Sequence, residues 1–169
     1  VLSCMDSTDP RRPRFLGVKV DLLVQLARPA AARAAAEACR GLAERVDTPE
    51  ARYWALNAAS GIRYLATDHQ GVVDTLEQAM PLADQLQARH RARHYSRLAA
   101  SLSFVGEHAR ALDLHERAIG LAKGVGEPHL LAFTLHNHGV GLFAAGRDQE
   151  SIPSFREACR HRQRVGDDH

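Results

Sequence analysis

Apolar side chains recur along this chain at helical spacing, and the helices they predict come in pairs. Leu131, Leu135, Gly139 and Leu142 share one helix face, Ala144-Ala145-Gly146-Arg147 reads as a turn, and Ile152, Phe155, Ala158 and Cys159 form the stripe of a second helix. The preceding stretch repeats the arrangement. Tyr95, Leu98, Ala99 and Leu102 lead to a turn at Gly106, and Leu112, Leu114, Ala118 and Leu121 follow it. Glycine at 106 and 146 permits the left-handed backbone that ends a helix. Gly126-Glu127-Pro128 and Asp47-Thr48-Pro49-Glu50 mark boundaries between pairs, each with a proline where a new helix would begin. Pro29 is expected to start a helix and Pro81 to bend one. Pro153, five residues past the expected cap at Asp148, is expected to kink the last helix unless it falls in the first turn.

The pairs belong to an internal repeat. Val105-Gly106-Glu107-His108-Ala109-Arg110-Ala111-Leu112 lies over Ala145-Gly146-Arg147-Asp148-Gln149-Glu150-Ser151-Ile152 at a spacing of 40 residues. Ala118 and Val125 then fall on Ala158 and Val165. Further back, Ala79 and Leu86 precede Ala118 and Val125 by 39 residues, and Cys39 and Val46 precede Ala79 and Leu86 by 40. Thr67 stands where the second repeat should have its turn glycine, which leaves that register open by one residue. One helical pair cannot bury its apolar face alone, whereas stacked pairs share a continuous core. The expected fold is therefore all-α: a right-handed superhelical stack of antiparallel helix pairs, about eight helices in all. The domain is expected over residues 14–166, in repeats of roughly 14–47, 48–87, 88–126 and 127–166. Residues 1–13 are expected to be disordered or extended.

Composition agrees with helix. Of 169 residues, 45% are hydrophobic and only 5% aromatic, with alanine, leucine and arginine dominant and β-branched residues sparse. The formal net charge of +2 argues against a nucleic-acid binder, which would show a strong basic excess. Three cysteines, Cys4, Cys39 and Cys159, form no CxxC pattern, and reduced thiols in a cytoplasmic protein are expected. No apolar run is long enough to span a membrane, and the opening residues lack the blocks of a signal peptide. The ends of the chain suggest a fragment of a longer protein.

The run Leu135-His136-Asn137-His138-Gly139-Val140-Gly141-Leu142-Phe143-Ala144-Ala145-Gly146-Arg147, with Ile152, Phe155 and Ala158, resembles the tetratricopeptide repeat in the longer form found in bacterial regulators. Leu56-Asn57-Ala58-Ala59-Ser60 is a second, weaker copy, and the resemblance covers about residues 14–166. It implies a tetratricopeptide-like α-solenoid that binds a peptide or partner helix in a concave groove lined by the first helix of each pair. It also implies a scaffold or sensory module within a larger bacterial signalling protein. The alternative is a regulatory and dimerisation domain that controls a linked enzyme, such as a GGDEF-type diguanylate cyclase, or a linked DNA-binding domain.

Counting back from the turns gives three rows expected to face that groove: Trp54, Arg93 and Phe133; Asn57, Ser96 and His136; Ala58, Arg97 and Asn137. The expected partner-binding residues are Trp54, Asn57, Arg93, Ser96, Arg97, Phe133, His136 and Asn137. An aromatic–arginine–aromatic row with polar neighbours suits a protein ligand. Trp54 and Phe133 fit packing between helices as well as they fit a groove. The clamp for a terminal carboxylate needs lysines and asparagines in set places, and only Asn57, Asn137, Arg93 and Arg97 come near it.

Ten histidines invite a metal, but the i, i+4 pair His90 and His94 has no acidic residue or cysteine nearby to complete a set, and both are expected to be solvated. His108 and His115 are expected on the exposed side of their helix. Gly139-Val140-Gly141 and Gly124-Val125-Gly126 follow no strand and lead to no Gly-Lys-Ser/Thr, so helix packing and a helix end explain them better than a phosphate loop. No catalytic residue, cofactor or metal is expected, and neither nucleic acid nor membrane as partner. The last helix offers Ile152, Phe155 and Cys159 with nothing after it to cover them, so the C-terminal end is expected to pack on a further helix or a second copy, giving a homodimer.

Overall fold

The computed structural model describes residues 9–167, with side chains over 9–163. These residues form eight helices: α1 (Arg12–Gln25), α2 (Pro29–Val46), α3 (Pro49–Leu65), α4 (His69–Ala83), α5 (Ala88–Phe104), α6 (His108–Val125), α7 (Pro128–Ala144) and α8 (Asp148–Asp167). They divide into two compact units, residues 1–85 and 86–169. Within the first, α1 packs on α2 and α3, α2 on α3, and α3 on α4; within the second, α5 packs on α6 and α7, α6 on α7, and α7 on α8. Each unit is thus two helical hairpins packed through their first helices. Of the segment 1–13 expected to be disordered or extended, residues 1–8 lie outside the described residues. The helix begins inside the remainder, at Arg12, because Pro13 supplies a first-turn φ and the Asp9 carboxylate accepts from the Arg11 backbone N–H at 2.8 Å.

One turn closes all four hairpins. Ala27, Thr67, Gly106 and Gly146 have φ of 50°, 56°, 88° and 71°, all left-handed. The residue after each donates its N–H five residues back: Arg28 to Leu23 O at 2.9 Å, Asp68 to Arg63 O at 3.0 Å, Glu107 to Leu102 O at 2.9 Å, and Arg147 to Leu142 O at 2.9 Å. This is the Schellman arrangement, which satisfies carbonyls that a helix end would otherwise leave without partners. Thr67 therefore occupies the turn-glycine position, and the open register of the second repeat is settled without a shift. The hydroxyl of Thr67 donates to Ala66 O at 2.7 Å.

Other ends vary. α2 and α6 stop at left-handed Asp47 and Gly126, whereas Asp84, after α4, stays right-handed. Thr48 caps α3 by accepting from Ala51 N at 3.2 Å, and Asp68 caps α4 by accepting from Gly71 N at 2.9 Å. Pro29 begins α2 as expected, while Pro81 and Pro153 both lie inside their helices.

In the first unit, Val20, Leu23, Cys39, Leu42, Tyr53, Trp54, Val72, Val73 and Leu76 are buried. The Cys39 thiol donates to Pro13 O at 3.3 Å, and burial pushes its pKa up to about 12. In the second, Ala92, Ala122 and Leu130 form a buried cluster against which Leu121, Val125 and Leu131 pack. Helix α7 touches α5, α6 and α8, which explains why it is apolar nearly all round. On α8 the expected stripe is corrected. Ile152 and Cys159 are exposed, and the buried positions are Ser151, Ser154 and Ala158. Small serines let α8 approach α7, so the packed face lies one step round from the apolar pattern.

A left-handed β-branched residue is strained in a way that glycine is not. Thr67→Gly should raise the unfolding free energy by about 1 kcal/mol in urea titration, the relief exceeding the added freedom of the unfolded chain.

Candidate partner-binding surface

Two of the eight expected residues belong to the first unit. Trp54 lies on α3 with its ring against α1 at Gly17, where an added Cβ would sit 2.6 Å from Trp54 Cε3. It is only 4% exposed, and its Nε1 donates to Glu50 Oε1 at 3.3 Å. Trp54 is a core residue, the packing alternative of the two. Asn57 is also buried, its Nδ2 donating to both carboxylate oxygens of Asp21 at 3.4 Å. Asp21 carried no sequence signal, because the link joins α1 to α3 over 36 residues of chain.

The other six belong to the second unit, where α5 and α7 lie side by side. The Arg93 guanidinium stands over the Phe133 ring, 5.4 Å from its centroid, with Arg93 exposed and Phe133 half-buried. Such a contact holds a cation over an aromatic face without removing it from water. Asn137 donates to Ser96 Oγ at 2.9 Å; Ser96 is fully buried and Asn137 half-buried. His136 lies against Phe155 of α8, with ring centroids 5.6 Å apart, and Arg97 is half-buried. The structure thus joins Arg93 with Phe133, one expected row where it crosses α5 and α7, and links Ser96 of the second row to Asn137 of the third. Ser96, lacking exposure, supports this surface from beneath, while Asn57 is held within the first unit.

Charge on these two helices is one-sided. α5 carries Arg89, Arg91, Arg93 and Arg97, α7 carries three histidines, and neither holds an acidic residue. Glu127, just before α7, pairs with Arg89 at 3.0 Å.

The histidine expectations are corrected. His90 and His94 are buried. His115 is 0% exposed and packs where α7 has no side chain: a Cβ on Gly141 would meet its Nε2 at 2.6 Å and Ser103 Oγ at 2.9 Å. Its ring is 5.6 Å from that of His138, whose Nδ1 bonds Ser154 Oγ at 3.0 Å. Burial, and then the nearby His138, lower the His115 pKa to about 3. Helical periodicity missed these residues because a histidine counts as polar in the pattern, while its flat ring can pack in a core, as that of His115 does. Gly139 has the same role toward Phe155, whose Cε1 would lie 2.8 Å from an added Cβ. Among the described residues, no three histidine, cysteine or acidic side chains converge to hold a metal ion, and no helix is long and apolar enough to cross a membrane.

Paired helices joined by one recurrent turn define the class as an all-α helical-repeat protein. Residues 90–164 match the tetratricopeptide repeat family. The match covers the second unit, which is therefore similar to tetratricopeptide repeats. Among solved structures it is similar to "Crystal structure of MamA" at 19% identity, with a TM-score of 0.53, covering 94% of this chain and 83% of that one. It is likewise similar to "Crystal structure of MamA protein" at 19% identity and a TM-score of 0.52, covering 94% of this chain and 78% of that one. This likeness is one of fold. No curated protein sequence matches the chain.

A histidine whose pKa falls on folding is charged more readily in the unfolded chain, so its contribution to stability is present above the unfolded value and is lost as pH falls. Taking 6.5 as the ordinary value, unfolding free energy should be level above it and decline as pH falls from 6.5 toward 3. One such histidine gives a slope of at most about 1.4 kcal/mol per pH unit. His115→Leu should reduce the slope in urea titrations across that window. Gly141→Ala should destabilise the second unit by about 1–3 kcal/mol through overpacking against the buried ring.

Proposed function

We propose that this chain is a cytoplasmic protein-interaction module whose second unit takes an acidic segment of a partner protein along α5 and α7. The observation that carries this reading is the exposed Arg93 held over Phe133 on a pair of helices with four arginines and no carboxylate of their own. Arg97, Phe133, His136 and Asn137 extend the surface, and Ser96 fixes Asn137 from below. Arginine beside half-buried aromatic rings matches a peptide that presents carboxylates next to apolar side chains. Trp54 and Asn57 act in this reading as the first unit's core and as a brace between α1 and α3. The free thiols Cys39 and Cys159 support a reducing compartment. No catalytic residue and no cofactor enter the proposal. The four repeats are taken to span residues 14–47, 48–87, 88–126 and 127–166.

The test is fluorescence anisotropy with labelled peptides of matched length, one set rich in Glu and Leu, the other in Lys and Leu. The acidic set should bind, more weakly as salt rises. Arg93→Glu and Arg97→Glu together should weaken binding by roughly tenfold or more, with the melting temperature little changed. Equal binding of both sets, or no effect of the double variant, would sink the proposal.

A further inference from the structure

Helix α1 shows an apolar stripe to solvent. Phe15, Val18, Leu22 and Leu26 are 40%, 41%, 54% and 67% exposed, and their spacing of three, four and four residues puts them on one face. The opposite face, with Pro13, Gly17, Val20 and Leu23, is already buried. Exposed leucines scattered singly are ordinary, but a continuous row along a helix marks a contact surface.

The repeat identifies the contact. Ala27 and Gly146 are equivalent turn residues, 119 positions apart, so Phe15, Val18 and Leu22 correspond to Thr134, Asn137 and Gly141 of α7. In α7 that face is the seam with the preceding hairpin. Thr134 is fully buried, Asn137 bonds Ser96 of α5, and Gly141 meets Ser103 of α5 and His115 of α6. α1 therefore offers the face by which this fold seats a first helix on the hairpin before it.

The chain also carries the matching surface. Moving Ser103 and His115 forward by the 40-residue repeat gives Phe143 and Phe155 of the α7–α8 hairpin. Ser103 and His115 are buried in the seam, whereas Phe143 is 62% exposed and Phe155 is half-buried. Both faces are thus apolar at the positions where one hairpin meets the next.

We propose that α1 docks on the α7–α8 hairpin of a second copy of this chain, continuing the repeat stack from one molecule to the next. The two faces differ, so the contact is heterologous and each molecule keeps one free face of each kind; association is open-ended unless a ring closes. This differs from a two-fold dimer through α8, which would use one face twice.

Sedimentation velocity on the whole chain tests this, over a wide concentration range at about 0.15 and 0.5 M NaCl, a span in which the screening length roughly halves. The expected result is an average mass that rises with concentration past the dimer at both salt concentrations, as an apolar contact requires. Leu22→Glu and Phe143→Glu should each give a folded monomer by circular dichroism, since both side chains are exposed. Mixed in equal amounts, the two variants should form one species of twice the monomer mass and stop there, because only one intact pair of faces remains. A wild-type monomer at every concentration overturns the proposal. So does a plateau at dimer that Phe143→Glu abolishes and Leu22→Glu leaves intact, which is the result for pairing through α8.

Discussion

A single backbone hydrogen bond, from the residue after each left-handed position to the carbonyl five residues earlier, sets the geometry of every hairpin in this chain. It ends the first helix at a defined carbonyl and leaves three residues before the second begins. Because it recurs at positions 27, 67, 106 and 146, equivalent side chains return at a spacing of 39 or 40 residues. Every contact between neighbouring hairpins depends on that register. A shift of one residue would rotate a helix by about 100° and take each glycine away from the ring it accommodates.

Within each unit the hairpins approach through a glycine and a large ring on opposite sides of the seam. In the first unit the glycine is on the leading helix, Gly17 of α1, and the ring comes from Trp54 of α3. In the second the glycine is on the following helix, Gly141 of α7, and the ring is His115 of α6. The contact is the same in kind, and the order of large and small is reversed. Polar pairs flank it in both, Asn57 with Asp21 and Asn137 with Ser96. Arg93 spans the same two helices over Phe133, with its own side chain exposed.

Turn glycines and first-turn prolines made the hairpins legible in the sequence, because few residues tolerate those backbone angles. Thr67 was ambiguous by composition, and only its backbone conformation shows it in the glycine's place. Side-chain fate was less legible. The pattern put His94 and His115 in solvent, and the fold buries both. On α8 it set Ile152, Phe155, Ala158 and Cys159 in one stripe, of which only Ala158 is fully buried, and small serines take the rest of the packed face. Trp54 fitted groove or core equally until Gly17, 37 residues earlier, appeared beneath its ring. These choices depend on which side chain faces which across helices distant in sequence, and no local period carries that information. The pairing of Arg93 with Phe133 was legible because the repeat itself aligns them, whereas the bond from Asn137 to Ser96 crosses from one aligned row to the next and was not.

The hairpin turns also differ between the units. Both in the second close on glycine, and both in the first close on residues with a Cβ, Ala27 and Thr67. The left-handed conformation costs such residues roughly 1 kcal/mol each, while glycine adopts it freely. Hairpin closure is among the earliest events in a repeat fold, since each element contacts only its neighbours. Other things equal, the chain nucleates in its second half and frays from its first. The four turn residues thus bias where the chain first closes a hairpin, independently of what either unit binds.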